Sequence, residues 1–181
     1  VPDDWQCPDC LVGKSEFEMI ELPQSTKTEA SVQGSKPKEA PIVIIGTGYA
    51  GYGLAEALRQ RDSNVPIVMF TADDGHHYSK PGLSTALTRD KAPGALVTEM
   101  PLELEARLNI RIYSNCPVLA INSKDKTVST AAGEQSYNKL VLAQGAAPVR
   151  LPLAGDGADD VVSVNNLVDY RFFRERLQGA K

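Results

Sequence analysis

The stretch that decides the fold is "PIVIIGTGYAGYGLAEALRQRD", residues 41–62. It begins with a run of apolar residues, 42–45, bounded by Pro41 and Gly46. Such an uninterrupted run is typical of a strand buried on both faces of a parallel sheet. The residues after the glycines recur with helical period and predict a helix with one apolar and one charged face. The apolar face is predicted to consist of Ala50, Leu54, Ala57 and Leu58.

Glycines separate the predicted strand from the predicted helix, and Gly46, Gly48 and Gly51 have the spacing G-x-G-x-x-G. In this context the first glycine makes a tight turn, the second lets the backbone approach a pyrophosphate, and the third lets the helix pack closely on the strand. Unpaired amides and the positive end of the helix dipole then hold the anion. The motif predicts a dinucleotide site. The alternative is that the glycines serve only the turn and close packing.

A second strand is predicted over residues 65–71, at the distance expected for a right-handed parallel crossover. A carboxylate is expected at the end of this strand, where it binds a ribose hydroxyl. The sequence there is "MFTADD", with Thr71 in the carboxylate position and Asp73 and Asp74 just beyond. Either Thr71 accepts the ribose hydroxyl or one of the aspartates reaches it.

The rest of the chain continues to alternate between helices and strands. "PLELEARLNI" predicts a helix and "IRIYS" a strand, and the closing "VNNLVDYRFFRERLQGAK" predicts a helix with a core-facing stripe of Leu167, Tyr170, Phe173 and Leu177. Between them, "CPVLAIN", "KTVST" and "QSYNKLVLA" predict a small antiparallel meander that returns into the main sheet. The pattern predicts an α/β, Rossmann-like domain with a parallel sheet and this meander.

Composition and charge limit the class of protein. The chain has 181 residues, of which 42% are hydrophobic and 23% charged, so it is expected to be globular. A net charge of −4 gives no electrostatic case for nucleic acid. No apolar run is long enough to insert into a membrane, and the N-terminus has no signal-peptide pattern. With only 3 cysteines, we expect a reducing, cytoplasmic location.

The N-terminal stretch contains "WQCPDC", in which Cys7 and Cys10 have the spacing of a metal-binding knuckle. Two thiolates cannot close a four-coordinate site, so the pair is either a redox dithiol or half of a site. Residues 1–22 are acidic, with Lys14 as their only basic residue, and 23–40 are rich in Ser, Thr, Lys, Glu and Pro. The second segment is predicted to be a flexible linker, because it cannot bury enough apolar surface to fold.

Three segments together resemble the FAD domain of the rubredoxin reductase family, whose members are flavoproteins with two dinucleotide domains. They are "IVIIGTGYAGYGLAEALR", "FTADDGHHYSKPGLSTAL" and "YNKLVLAQGAAPVRLPLAGDG". The N-terminal "DDWQCPDCLVGK" resembles the C-terminal half of rubredoxin, whose iron is held by two C-x-x-C knuckles. The resemblance implies half a rubredoxin in residues 1–22, a linker in 23–40 and an incomplete FAD-binding domain in 41–181.

The resemblance also implies a set of cofactor-binding residues. Gly46, Gly48, Tyr49, Ala50 and Gly51 would surround the FAD pyrophosphate. Lys80 and Pro81 would lie along the FAD, Val118 would contact adenine through its backbone, and Ala143 and Gly145 would close over the cofactor, with Gln144 in place of the family's Thr. Cys7 and Cys10 would hold iron in a Cys₄ site whose other two ligands precede Val1. No side chain is expected to act as a catalytic acid or base.

The function that the resemblance implies is electron transfer from NAD(P)H through FAD to rubredoxin iron. The reduced rubredoxin, fused or separate, would supply an alkane hydroxylase or an oxygen-detoxifying system. We expect the chain to be a fragment at both ends and inactive alone, because a second G-x-G-x-x-G for the nicotinamide is missing. The alternatives are an NAD-dependent oxidoreductase without flavin, or a non-enzymatic module with dinucleotide-binding or zinc-knuckle character.

Overall fold

The computed structural model describes residues 40–178. Nine strands and four α-helices follow one another in this part of the chain, with short 3₁₀ turns at Lys80–Gly82, Pro93–Leu96 and Ala158–Asp160. The elements are β1 (Ile42–Ile45), α1 (Tyr49–Arg61), β2 (Ile67–Phe70), β3 (His77–Tyr78), α2 (Leu83–Ala86), β4 (Val97–Glu99), α3 (Pro101–Leu108), β5 (Arg111–Tyr113), β6 (Val118–Asn122), β7 (Thr127–Thr130), β8 (Gly133–Ser136), β9 (Lys139–Leu142) and α4 (Leu167–Leu177).

The main sheet has four parallel strands in the order β5-β2-β1-β9. A separate three-stranded antiparallel sheet is formed by β6, β7 and β8, and β3 pairs with β4. The predicted α/β architecture, with a parallel sheet and an antiparallel meander, is confirmed. Strand β1 lies inside the sheet with β2 and β9 on its two sides, so the turn that follows it stands at the middle of the sheet edge.

Alternate residues of β1 face two different cores. Ile44 packs with Met69 and with Leu104 of α3 under the helices, whereas Val43 packs with Phe70 and with Val128 of the meander on the opposite face. Arg59 of α1 donates to the carbonyl oxygens of Leu108 (2.6 Å) and Asn109 (2.9 Å), which joins the ends of α1 and α3. The sheet is therefore covered by helices on one face and by the meander on the other.

The face that α1 presents to the sheet agrees with the prediction at Gly51 and differs from it along the apolar stripe. Its buried residues are Gly51, Tyr52 and Ala55, while Leu54 and Leu58 are half-buried and the predicted core residues Ala50 and Ala57 are exposed. The reason is the close approach at Gly51, where a Cβ atom would lie closer than 3.0 Å to the Gly46 carbonyl oxygen. This contact, and not the largest apolar side chains, fixes the rotation of the helix.

The segment "QSYNKLVLA" was predicted to return from the meander into the main sheet, and it does so between the end of β8 and β9, at Tyr137 and Asn138. The Tyr137 amide donates to Lys126 O and the Asn138 amide to Pro41 O, so the chain leaves the meander and enters the parallel sheet at this point. In α4, Leu167 and Tyr170 are buried and Phe173 is half-buried as predicted, but Leu177 is 40% exposed at the helix end.

Candidate dinucleotide site

The candidate site lies at the edge where the parallel strands end. The glycine-rich turn follows β1, residues 71–76 follow β2, and residues 143–145 follow β9. In open α/β sheets, ligands bind in the crevice outside the carboxyl ends of the strands. The topology therefore brings together the glycines, Thr71, Ala143 and Gly145, which were all predicted to belong to one site.

The three glycines of the motif have different surroundings. Gly46 has a φ of +111°, and a Cβ atom there would lie closer than 3.0 Å to the Ala143 carbonyl oxygen. Gly51 is packed against Gly46 in the same way, whereas nothing lies within 4 Å of a Cβ atom built on Gly48. Gly46 and Gly51 are thus required by the protein's own packing, while Gly48 faces open space. This open side is where a ligand can approach the backbone.

The first turn of α1 offers donors without acceptors. Its N-cap is Gly48, which has no side chain to cap the helix, and no acidic residue lies in the first turn. The first hydrogen bond of the helix runs from the Tyr52 amide to Gly48 O (3.0 Å). Within residues 40–178, no hydrogen bond uses the amides of Tyr49, Ala50 or Gly51. Free amides at the positive end of a helix dipole form an anion-binding site.

The loop after β2 is organised by one carboxylate. Asp73 Oδ1 accepts hydrogen bonds from Thr71 Oγ1 (2.6 Å), Thr47 Oγ1 (3.3 Å) and the Gly75 amide (3.0 Å). Thr71 is only 6% exposed, and its hydroxyl is donated to Asp73 instead of facing the crevice. Asp74 Oδ2 lies 2.9 Å from His76 Nδ1. Of the acidic candidates for the ribose, Asp73 is the one that is joined to the glycine-rich turn.

Tyr52 connects helix α1 to the same loop. Its hydroxyl donates to the Gly75 carbonyl oxygen, and its ring is 1% exposed. Burial, with a smaller contribution from the negative charge of Asp73, raises the pKa of Tyr52 above its ordinary range. Burial also raises the pKa of Tyr78, whose hydroxyl oxygen accepts from the Leu167 amide (3.2 Å). Both phenols are therefore held protonated, and Tyr52 acts as a permanent donor in this network.

Lys80 and Pro81 lie on a different element, the 3₁₀ turn before α2, and both are exposed. Lys80 lines a shallow cavity of about 200 Å³ together with Leu83, Ser84, Val164 and Asn165. None of these lining residues belongs to the glycine-rich turn. Lys80 is therefore placed beside the segment that leads into α4, at a position separate from the free amides of α1.

The remaining predicted contacts lie on the sheet and the meander. Val118 begins β6, is half-buried, and packs against the cluster that contains Val43 and Phe70. The Ala143 amide donates to Ile45 O (2.8 Å), so Ala143 extends the pairing of β9 with β1. Gly145 has a φ of +72°, a left-handed conformation that lets the chain turn away from the sheet edge.

Cys7 and Cys10, predicted to bind metal, lie outside the described residues. In the part that the structure describes, no group of three His, Cys, Asp or Glu side chains is arranged to hold a metal ion. The same residues include no helix that is long and apolar enough to cross a membrane.

Sequence reasoning missed the roles of Thr47 and Tyr52. Thr47 occupies a variable position of the glycine motif but is only 5% exposed and bonds to a residue 26 positions away. Tyr52 follows the third glycine directly and fills the space beside it. Two features of the sequence could have indicated these roles. Thr47 is a hydroxyl residue between two glycines, and Tyr52 is a large aromatic residue at the point where the helix packs closely on the sheet.

Comparisons with known proteins agree with this geometry. The pyridine nucleotide-disulphide oxidoreductase family matches residues 40–181. A rubredoxin-NAD(+) reductase from Acinetobacter baylyi is 45% identical over 141 residues, which are 76% of this chain and 36% of that protein. A nitric oxide reductase FlRd-NAD(+) reductase from Vibrio vulnificus is 33% identical over 78% of this chain and 37% of its own length.

Among solved structures, the covalent putidaredoxin reductase-putidaredoxin complex superposes with a TM-score of 0.64 at 29% identity. The match covers 76% of this chain and 34% of that one. The chain thus spans little more than a third of the length of the relatives it matches. The family match covers most of the chain and includes the glycine-rich turn, the loop after β2 and the turn after β9. The chain belongs to the pyridine nucleotide-disulphide oxidoreductase family.

Proposed function

We propose that residues 41–178 bind FAD and that the protein transfers electrons from NAD(P)H through this flavin to a rubredoxin iron centre. The observation that carries the proposal is the open side of Gly48 next to the amides of Tyr49, Ala50 and Gly51, for which residues 40–178 provide no acceptor. A pyrophosphate fits this arrangement, because backbone amides can reach it and no side chain fills the space. Relatives are named rubredoxin-NAD(+) reductase, and a flavin is the kind of cofactor that couples a nicotinamide to a one-electron iron centre, which supports FAD as the bound dinucleotide.

The adenosine part of FAD would extend from the glycine-rich turn toward the ends of β2 and β6. Since the Thr71 hydroxyl is donated to Asp73, we assign the ribose contact to the Asp73 carboxylate, with Thr71 supporting it. The backbone of Val118 would contact adenine, and Ala143 and Gly145 would border the cofactor on the other side. Lys80 and Pro81 would lie further along the FAD, where the ammonium group of Lys80 offsets negative charge.

When bound, a flavin supplies the exchange between a two-electron hydride donor and a one-electron metal centre. The residues of this chain bind and orient it. The amides of α1 fix the pyrophosphate, and Gly46 keeps the turn in contact with Ala143. The raised pKa of Tyr52 keeps its phenol neutral beside the site. No proton transfer by a side chain is needed for this function.

The N-terminal part of the proposal rests on the sequence alone. Cys7 and Cys10 would supply two of four thiolate ligands to iron, which suits soft ligands in a tetrahedral site. Residues 23–40 would tether this metal site to the flavin domain and raise its effective concentration there to about the millimolar range. An alkane hydroxylase or an oxygen-detoxifying system would accept the electrons downstream. A reducing, cytoplasmic compartment would keep these thiols available to metal.

The first test is to titrate the purified chain with FAD and with NAD⁺. We expect FAD to bind in a one-to-one ratio, with the absorbance of a protein-bound flavin, and NAD⁺ to leave its binding unchanged. Binding of NAD⁺ without FAD would support the alternative of a flavin-free oxidoreductase. Metal analysis of a preparation that contains all four proposed thiolate ligands distinguishes iron from zinc, and zinc would support the alternative of a structural knuckle.

The second test concerns the partner. The chain loaded with FAD is reduced photochemically without oxygen and mixed with oxidised rubredoxin, while the absorbance of rubredoxin is followed. Bleaching of the rubredoxin that depends on FAD supports electron flow from the flavin to the iron centre. Flavin reduction without reduction of rubredoxin would leave the FAD site intact but refute the proposed acceptor.

A further inference from the structure

A partly buried network of polar groups joins the glycine-rich turn to the loop after β2. Asp73 Oδ1 receives three donors, and these come from different parts of the chain: Thr71 at the end of β2, Gly75 in the following loop, and Thr47 inside the glycine-rich turn. Thr47 and Thr71 are 5% and 6% exposed. The contact between Thr47 and Asp73 is the one that reaches from the loop to the turn.

The position of Thr47 makes this contact relevant to the ligand. Thr47 lies between Gly46, whose backbone is held against Ala143, and Gly48, whose side faces open space. The backbone on both sides of it consists of glycine, which has the largest conformational freedom of any residue. A hydrogen bond from the side chain between them therefore restricts a part of the backbone that would otherwise sample many conformations.

The charge of Asp73 is inconsistent with direct binding of a phosphate. A carboxylate repels a pyrophosphate, so Asp73 does not bind the phosphate itself. Its Oδ1 accepts from three donors of the protein, and these solvate the charge and turn the oxygen toward the protein. The effect of this oxygen on a bound pyrophosphate must therefore act through the shape of the turn.

We propose that the Thr47–Asp73 hydrogen bond positions the glycine-rich turn for the FAD pyrophosphate, with Thr47 as a positioning residue. The inference rests on the proposed function, since it concerns the same site. The bond fixes the turn before the ligand arrives, so that the entropy of ordering the glycines is lost on folding and not on binding. A merely structural role would affect the stability of the protein without changing its affinity for FAD.

The test compares substitutions of Thr47 in the full chain. Thr47→Val keeps the shape and removes the hydroxyl, and Thr47→Ser keeps the hydroxyl. FAD binding is measured by the quenching of flavin fluorescence, and the melting temperature is measured without FAD. We expect Thr47→Val to weaken FAD binding by about tenfold, the low end for a hydrogen bond to a charged group, because the donor–acceptor distance is 3.3 Å. Thr47→Ser should stay within about twofold of the unmodified chain, because the donor is retained.

The matched control is Thr98→Val. Thr98 Oγ1 donates to His77 O (2.9 Å) in the β3–β4 pair, so the same change removes a hydrogen bond away from the turn. It should leave the affinity for FAD unchanged. If Thr47→Val does not fold, Thr47→Cys replaces it, and its weak thiol donor should give a loss between those of Ser and Val.

The outcomes separate the two proposals. If Thr47→Val binds FAD as tightly as the unmodified chain, or Thr47→Ser loses as much affinity as Thr47→Val, the positioning role is refuted while the FAD site stands. If the unmodified chain binds no FAD, the proposed function is refuted, and the positioning role for FAD is refuted with it. If Thr47→Val loses affinity for FAD while Thr47→Ser and Thr98→Val keep it, the result supports both the FAD site and the positioning role of Thr47.

Discussion

Gly48 provides a direct test of the candidate site, because its substitution should weaken binding much more than it changes stability. Its φ of −77° and ψ of −172° are accessible to any residue, and a Cβ atom there contacts nothing within 4 Å. Alanine loses less entropy on folding, which favours Gly48→Ala by about 0.4–1 kcal/mol, but alanine is a poorer N-cap residue than glycine by a similar amount, so the stability without FAD should stay within about 1 kcal/mol of the original. For a chain of 181 residues this corresponds to a melting temperature within about 4 °C of the original.

The same methyl group should weaken FAD binding. It occupies the open side where the pyrophosphate meets the backbone, and losing one charge-assisted hydrogen bond costs roughly 1.5–3 kcal/mol, which is about 10- to 150-fold in affinity. We take the loss as about 100-fold. At a free FAD concentration of about 100 times the original Kd, the ligand stabilises the unmodified chain by about 2.7 kcal/mol and the variant by about 0.4 kcal/mol. The rise in melting temperature that FAD produces should therefore be roughly 5–9 °C smaller in the variant than in the unmodified chain.

The assay is thermal unfolding of both proteins with and without FAD, supported by fluorescence titration. Gly53→Ala is the matched control, because Gly53 also has no atom within 4 Å of a built Cβ but lies in the second turn of α1. It should raise the melting temperature in both conditions. The reasoning is refuted if Gly48→Ala binds FAD with unchanged affinity, because Gly48 would then not face the pyrophosphate.

Other substitutions test other parts of the structure. Gly46→Ala should destabilise the chain by at least about 3 kcal/mol, because φ is +111° and the new Cβ would collide with Ala143 O. A melting temperature that stays within about 2 °C of the original would contradict this. Tyr52→Phe should cost roughly 1–3 kcal/mol at pH 7 in urea unfolding, because Gly75 O loses its donor. Since the pKa of Tyr52 is raised above 10.0 in the folded state, the stability that this shift contributes is complete below about pH 10 and is lost as the pH rises further. Above about pH 10, the free energy of unfolding of Tyr52→Phe should therefore fall less steeply with pH than that of the original chain. Equal slopes would show that Tyr52 is not the group responsible for the loss of stability. In a preparation that contains all four proposed thiolate ligands, Cys10→Ser should abolish bound metal while the flavin content stays unchanged, and metal retained at the original level would exclude the knuckle.

The local sequence was sufficient to predict the elements that form the site, but not the contacts between them. The apolar run at 42–45 and the glycine spacing identified β1, the turn and α1, because a buried strand and a phosphate-binding turn each impose a short-range pattern. The glycine motif correctly predicted the close packing of α1 at Gly51, whereas the apolar stripe wrongly placed Ala50 and Ala57 on the packed face. Side-chain size in the helix alone does not show how far that close contact rotates the helix.

The polar contacts were harder to predict because they are long-range. Thr71 and Asp73 were both recognised as candidates for the ribose, but the donation from one to the other depends on the conformation of the loop. Thr47 is close to Asp73 only after β1 and β2 have paired. The residue types alone do not show which hydroxyl group already donates its hydrogen bond to a neighbouring side chain.

The contact of Gly46 with Ala143 has a consequence for synthesis on the ribosome. The glycine-rich turn is made early, but the strand that supports it, β9, is translated about a hundred residues later, which takes roughly 5–20 s at the usual rate of elongation. Until then β1 can pair only with β2, and one side of the nascent sheet stays open. The cofactor site is thus among the last parts of the domain to be completed, and a chain that is released before β9 emerges has the motif without the surface that shapes it.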